Sequence, residues 1–122
     1  MNFDSSVRKR YLTISGITVP LPMPAASILT LGRRQVTVVL LMPRDEDQEA
    51  WEDGNRNVWA FDQNGQQLWK IEALPGVTSE RGAYTDISID ENGNLLAYNS
   101  IGVFANVDLV TGKVYVAPQR PW

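Results

Sequence analysis

Histidine and cysteine are both absent from this 122-residue chain. Without Cys there is no disulfide framework and no thiolate metal site, and the absence points to a reducing compartment. Without His, the commonest general base and the commonest transition-metal ligand are missing together. Positive charge is also short. Eleven Lys and Arg against 14 Asp and Glu leave a net charge of −3, which disfavours non-specific attachment to nucleic acid or an anionic membrane and suits a basic partner surface. No apolar run approaches the roughly 18–20 residues of a membrane span. The apolar stretch from Tyr11 to Leu31 follows Arg8-Lys9-Arg10, the order found in a signal peptide. It is broken by Gly16, Pro20, Pro22 and Pro24, however, and Thr13, Ser15 and Thr18 alternate with apolar neighbours, so it reads as strand. The expected location is cytoplasmic, with the basic triplet a solvated strand entrance.

What is present is β-forming sequence punctuated by turns. The length suits a single domain over 1–122 with one core. The clearest stretch is Asn57 to Glu72, where Asp62-Gln63-Asn64-Gly65 separates two runs rich in aromatic and branched residues. Asp at the first position and Gly at the fourth fit a type I turn closed by a glycine bulge. That turn pairs residue 61 with 67, 60 with 68 and 59 with 69, placing Trp59 opposite Trp69. A two-residue Asn64-Gly65 turn would instead put Ala60 opposite Trp69; the first pairing is preferred.

The turn recurs. Asp90-Glu91-Asn92-Gly93 repeats it 28 residues later, Asn99-Ser100-Ile101-Gly102 has the same Asx-x-x-Gly form, and Asp108-Leu-Val-Thr-Gly112 is one residue longer. If each turn sets its register alike, Ile87, Ile89, Leu95, Ala97, Ala105, Val107, Val114 and Val116 share one face. A slip of one residue would have scattered them. The opposite face carries Ser88, Leu96, Tyr98, Phe104, Asn106 and Tyr115, with Tyr98 facing Phe104. Residues 85–117 are therefore expected to form a four-stranded antiparallel meander. Strands are expected near 57–62, 66–72, 85–90, 94–99, 103–108 and 113–117, paired antiparallel in succession.

Upstream, Tyr11 to Val19 is one bent strand or two short ones hinged at Gly16. Ala26 to Leu31 supplies a further strand, and Gln35 to Met42 is the most β-prone run of the chain. Val36 to Leu41 is apolar on both faces and reads as a central strand covered on each side. The chain is thus expected to be all-β, with about nine or ten mostly antiparallel strands in an incomplete propeller-like, barrel or sandwich arrangement. N-terminal strands (1–42) and a hairpin meander (57–117) flank an acidic loop (43–56). In that loop Asp45, Glu46, Asp47, Glu49, Glu52 and Asp53 crowd six carboxylates into nine positions around Trp51, too repulsive for a buried element.

Two resemblances follow from these residues. Asp108-Leu-Val-Thr-Gly-Lys-Val-Tyr115 is similar to the Asp-x-x-Thr-Gly-Lys turn of blades in quinoprotein-like β-propellers, although 122 residues cannot close a ring. From about Asn55 to Tyr115 the chain also resembles short uncharacterised bacterial proteins that have an Asn-Arg-Asn-Val start, an Asp-x-Asn-Gly hairpin ending in Trp, and a closing Asp-x-x-Thr-Gly. Some of those look like immunity proteins encoded beside polymorphic or contact-dependent toxins, which implies a toxin-binding role and transfers no site residues.

Chemistry-bearing alternatives are weak. The Asp-x-Asn-Gly loops cluster oxygens but lack the EF-hand Gly at position six and the later Glu, and turn formation explains them. The carboxylates of the acidic loop could form a glycosidase-like pair, but an exposed loop holds such a pair poorly. No metal, cofactor, nucleotide or catalytic residue is therefore expected. The expected function is a non-enzymatic, protein-binding one: an immunity-type inhibitor of a cognate bacterial toxin, a basic nuclease. It would use Asp45, Glu46, Asp47, Glu49, Trp51, Glu52 and Asp53. The alternative is a free-standing structural or scaffold module.

Overall fold

The run that is apolar on both faces, Val36–Leu41, is a strand whose six residues are all buried. It is the fourth of ten strands in a computed structural model that describes residues 10–32, 35–42, 54–74, 83–99 and 102–116. In chain order these are β1 (Tyr11–Ile14), β2 (Ile17–Pro20), β3 (Ala25–Leu31), β4 (Val36–Leu41), β5 (Val58–Phe61), β6 (Gln67–Lys70), β7 (Tyr84–Ile89), β8 (Leu95–Asn99), β9 (Val103–Val107) and β10 (Val114–Val116). The described residues contain no helix. The strands form three antiparallel sheets: the hairpin β1-β2, a central sheet β3-β4-β5-β6, and a C-terminal sheet β7-β8-β9-β10, each in sequence order.

Alternate residues of β4 leave in opposite directions, and each direction meets a separate layer. Val38 and Leu40 join Val58, Ala60, Trp69 and Ile71 against Ile87, Leu95, Ala97, Ala105, Val107 and Val114 of the C-terminal sheet. Val39 and Leu41 join Trp59 and Phe61 against Leu12, Ile14, Val19 and Leu21 from the N-terminal hairpin segment. The order of layers is thus hairpin, central sheet, C-terminal sheet. The stacking is that of a sandwich with an added hairpin, and among the described residues no sheet closes as a barrel. Each fully buried aliphatic side chain contributes roughly 1.5–3 kcal/mol, which is why a strand apolar on both faces settles between two layers.

The segment Tyr11 to Val19 resolves into two strands. Ser15 and Gly16 both take positive φ (49° and 81°), the two-residue turn whose twist suits a tight hairpin. The C-terminal meander has the register expected from its turns: Ile87 pairs with Ala97, Leu95 with Val107, Ala97 with Ala105, and Val107 with Val114. Its inward face is buried except at its ends, where Ile89 and Val116 are exposed.

Two expectations need correction. The succession of antiparallel pairs breaks between β6 and β7, which belong to different sheets; stacking two four-stranded sheets buries a face of each, which a single extended ribbon would leave wet. The Trp59–Trp69 pairing is also wrong. Next to the turn, Phe61 pairs with Gln67 as expected, but the register then shifts, so that Ala60 pairs with Trp69 and Trp59 with Lys70. Leu68 is the extra residue of a β-bulge, and both it and Gln67 are exposed. The bulge turns the larger Trp69 into the core beside Ala60, and the two tryptophans face opposite layers.

Candidate functional site

Three features of the stacked sheets bear on function: the clamp that joins them, a cleft beside the clamp, and an outer face that no described layer covers. The clamp is built from the end of β6 and the β9–β10 turn. Trp69 Nε1 donates to the Leu109 carbonyl at 2.8 Å, and the Glu72 amide donates to the Gly112 carbonyl at 2.9 Å. Gly112 lies so close to the indole that a Cβ there would stand 2.8 Å from Trp69 Cε3, so only glycine lets the turn settle on the ring. The Asp108 side chain holds the turn, accepting from Val110 N at 2.7 Å.

A buried polar network continues the clamp. Asn57 sits at 2 % exposure; its Nδ2 donates to the Leu41 and Tyr84 carbonyls, and its Oδ1 accepts from Tyr84 N. One amide side chain thereby bridges the backbones of the two stacked sheets. The Tyr84 hydroxyl donates to the Glu72 carbonyl at 2.7 Å. Burial first, and the nearby Glu72 carboxylate second, hold that hydroxyl far above the usual phenol range, so it stays a donor at any physiological pH. Among the described residues every buried side-chain polar atom has a partner, as a stabilising rather than a reactive network requires.

Beside the clamp opens a cleft of about 370 Å³ lined by Arg56, Lys70, Glu72, Ala73, Thr111, Gly112 and Lys113. Arg56 is anchored by donation from Nε to the Ile71 carbonyl at 3.2 Å, and its own carbonyl accepts from Trp59 Nε1. The Lys70 ammonium lies 4.6 Å from the centroid of the Trp59 ring. Nothing in the sequence pattern singles these cations out. Arg56 and Lys70 are brought together by the β5–β6 pairing, and the packing of one sheet on the other adds Lys113.

The outer face of the C-terminal sheet carries Asp86, Ser88, Leu96, Tyr98 and Phe104, which line a shallow depression of about 290 Å³, with Asn106 and Tyr115 beside them. Tyr98 and Phe104 pair across β8 and β9 as expected, their ring centroids 4.7 Å apart and tilted by 51°. Phe104 is 59 % exposed and Tyr115 58 %. No described layer covers this face, whereas the inner strands β4 and β5 of the central sheet are buried on both sides.

The acidic residues expected to bind a partner, Asp45, Glu46, Asp47, Glu49, Trp51, Glu52 and Asp53, lie outside the described residues. Among the described residues no group of three or more His, Cys, Asp or Glu side chains is placed to hold a metal ion, and no helix is long and apolar enough to cross a membrane. The Asp-x-Asn-Gly loops are turns: Asp62 Oδ1 accepts from Asn64 N and Gln66 N, and Asp90 Oδ1 from Asn92 N and Asn94 N. Residues 3–117 match the family model of a domain of unknown function (DUF7957), so the chain belongs to that family. No curated protein and no solved structure matches it.

Proposed function

We propose that this member of the DUF7957 family is a non-enzymatic protein-binding module, an immunity-type inhibitor that neutralises a cognate bacterial toxin with a basic surface. The observation that carries the binding role is the outer face of the C-terminal sheet, which no described layer covers and where Leu96, Tyr98, Phe104 and Tyr115 make an apolar, aromatic patch with a polar rim. Exposed aromatics grouped this way are the usual anchors of protein interfaces, and monomeric surfaces seldom keep them without a use. The inhibitor role is supported by the resemblance of residues 55–115 to immunity-like bacterial proteins and by the acidic segment 45–53.

Two parts then divide the work. The carboxylates at 45, 46, 47, 49, 52 and 53 raise the local negative potential and speed encounter with a basic protein, while the aromatic face supplies short-range affinity. A nuclease toxin must present positive charge to phosphates, and an acidic inhibitor meets that surface directly.

The test is binding to the product of a toxin reading frame adjacent in the genome, measured by calorimetry and stopped flow. Phe104→Ala with Tyr115→Ala should weaken binding by about 2 kcal/mol or more through faster dissociation. Replacing the six carboxylates by Asn or Gln should slow association and flatten its salt dependence. No binding by the wild-type protein, or wild-type kinetics in both variants, would leave the structural-module reading in its place.

A further inference from the structure

We propose that Asn92, in the β7–β8 turn, is a site of spontaneous deamidation through a succinimide, and that Asn64 in the matching β5–β6 turn is shielded from the same reaction. This inference does not depend on the inhibitor reading. Each asparagine precedes a glycine, Gly93 and Gly65, and the chemistry uses that pair. The glycine backbone nitrogen gives up its proton to hydroxide and bonds to the asparagine side-chain carbonyl carbon, Cγ. The side-chain nitrogen takes a proton from water and leaves as ammonia, and a five-membered succinimide remains. Water then opens the ring at either carbonyl, leaving an aspartyl residue or an isoaspartyl one whose backbone runs through the former side chain. A Cβ on the residue after asparagine obstructs the attack, and glycine has none.

The two turns are matched in hydrogen bonding. Gly65 N donates to the Asp62 carbonyl at 3.1 Å and Gly93 N to the Asp90 carbonyl at 3.0 Å. Asp62 Oδ1 accepts from Asn64 N at 2.8 Å, and Asp90 Oδ1 from Asn92 N at 2.9 Å. Both glycines take positive φ, 80° and 83°. While these bonds hold, the glycine N–H is directed at a carbonyl oxygen and away from Cγ. The reaction therefore proceeds from the opened turn, and the ease of opening sets its rate.

Packing separates the two. A Cβ at Gly65 would stand 3.1 Å from a Val19 methyl and 3.2 Å from an Ile17 methyl, so the β5–β6 turn lies on the β1–β2 hairpin, and Gly65 is half-buried. Its nitrogen is freed only when the turn lifts off that hairpin. At Gly93 a Cβ would meet no described atom within 4 Å, residues 91–94 are all exposed, and Ile89 beside them is exposed as well. Opening there breaks little beyond the turn's own bonds. Local charge works the other way, since Glu91 stands where the first turn has Gln63 and disfavours ionisation of the amide, but salt screens an exposed charge. The product acts on the sheet. An isoaspartyl link lengthens the backbone within the span from Asp90 to Asn94 that Asp90 Oδ1 closes, and that turn sets the pairing of Ser88 with Leu96 and of Asp86 with Tyr98 on the outer face.

The experiment is incubation of the full chain at neutral and at mildly alkaline pH, sampled by peptide mass mapping and by methyl acceptance from an isoaspartyl-directed carboxyl methyltransferase, with a parallel incubation in denaturant. In the folded protein position 92 should gain the mass of an amide-to-acid conversion about tenfold faster than position 64, one decade in the opening equilibrium. The rate should rise with hydroxide concentration, and methyl acceptance should map to position 92. In denaturant the two rates should come together, which assigns the difference to the fold. Asn92→Gln should stop conversion at that position, because glutamine would have to close a six-membered ring. Ile17 is 42 % exposed, so Ile17→Ala keeps the fold while uncovering Gly65, and it should raise the rate at position 64 toward that at 92. Equal rates in the folded chain, conversion first at position 64, no conversion at position 92, or a ratio that persists unchanged in denaturant would overturn the assignment.

Discussion

The central and C-terminal sheets have the same strand order and the same antiparallel pairing, yet among the described residues the inner strands of one are covered on both faces and those of the other on one. In the central sheet β4 and β5 have no exposed residue at all. In the C-terminal sheet β8 and β9 alternate, with Leu95, Ala97, Ala105 and Val107 inward and Leu96, Tyr98, Phe104 and Asn106 outward. The difference teaches where each sheet's side chains are constrained. A strand between two layers is buried at every position and so is apolar nearly throughout, Thr37 being the one polar residue of β4 and β5, whereas a strand with one free face has every second position open to other uses. In this molecule those free positions carry aromatic residues.

The comparison is broken most directly by truncating both faces of both sheets. Leu40 and Leu41, on opposite faces of β4, are each essentially inaccessible, so Leu40→Ala and Leu41→Ala should each cost about 2–5 kcal/mol in denaturant unfolding. On β8 the pair should split: Leu95→Ala should cost as much as either, while Leu96→Ala should cost under about 1 kcal/mol. A loss below about 1 kcal/mol for Leu41→Ala would mean that the N-terminal hairpin is not a true third layer.

Next in size is a contrast between two glycines in matching turns. Gly112 and Gly93 both have positive φ, 78° and 83°, but a Cβ at Gly112 would meet the Trp69 ring at 2.8 Å, and one at Gly93 would meet nothing within 4 Å. Gly93→Ala should therefore show only the left-handed backbone cost of roughly 1–2 kcal/mol. Gly112→Ala adds overpacking at the clamp and should cost about 3 kcal/mol or more. Equal losses would show that the turn does not seat on the tryptophan.

These same turns explain how much was legible beforehand. An Asx residue followed by a glycine at fixed distance sets the pairing on either side, so the C-terminal meander could be derived strand by strand. The β5–β6 hairpin defeated the same logic one step beyond its turn, because the bulge at Leu68 is selected by the core's need for Trp69 beside Ala60, a tertiary demand with no local marker. The doubly apolar run 36–41 announced two covering layers without saying which segments supply them. The acidic segment stood out by composition, since its six carboxylates fall within nine positions. The cleft beside the clamp did not, because Lys113 joins Arg56 and Lys70 only through the clamp. Buried Asn57 was visible as part of Asn55-Arg56-Asn57-Val58, but its bridging of two sheets was not.

A smaller effect is expected on the open face. Phe104→Ala removes a 59 % exposed ring and its tilted contact with Tyr98, for which about 0.5–1.5 kcal/mol is the usual worth of an aromatic pair. Stability should fall by no more than about 1 kcal/mol. Thermal unfolding of this variant beside Leu95→Ala reads the asymmetry of the sheet on neighbouring strands. A loss equal to that of Leu95→Ala would show that the outer face is itself covered.

The smallest effect belongs to the free end of the C-terminal sheet, at Asp90. Asp90 is half-buried in its turn, and the Asn94 backbone N–H first, with the Asn94 side chain and the Asn92 and Gly93 amides adding to it, holds its pKa below the usual carboxylate value. A carboxyl whose folded pKa lies below its unfolded value of about 3.9 stabilises the fold fully above that pH and loses the contribution as pH falls through the lower folded value. Asp90→Asn keeps an acceptor oxygen at the first turn position but cannot carry the charge. Its transition midpoint should sit slightly below that of the wild type at pH 7, and the gap should shrink as the wild-type carboxyl protonates on the way to about pH 2. Unfolding at the two pH values measures the gap directly. A gap that stays constant or widens in acid would show that the charge at Asp90 contributes nothing to the turn, leaving its hydrogen-bonding geometry alone to set the β7–β8 register.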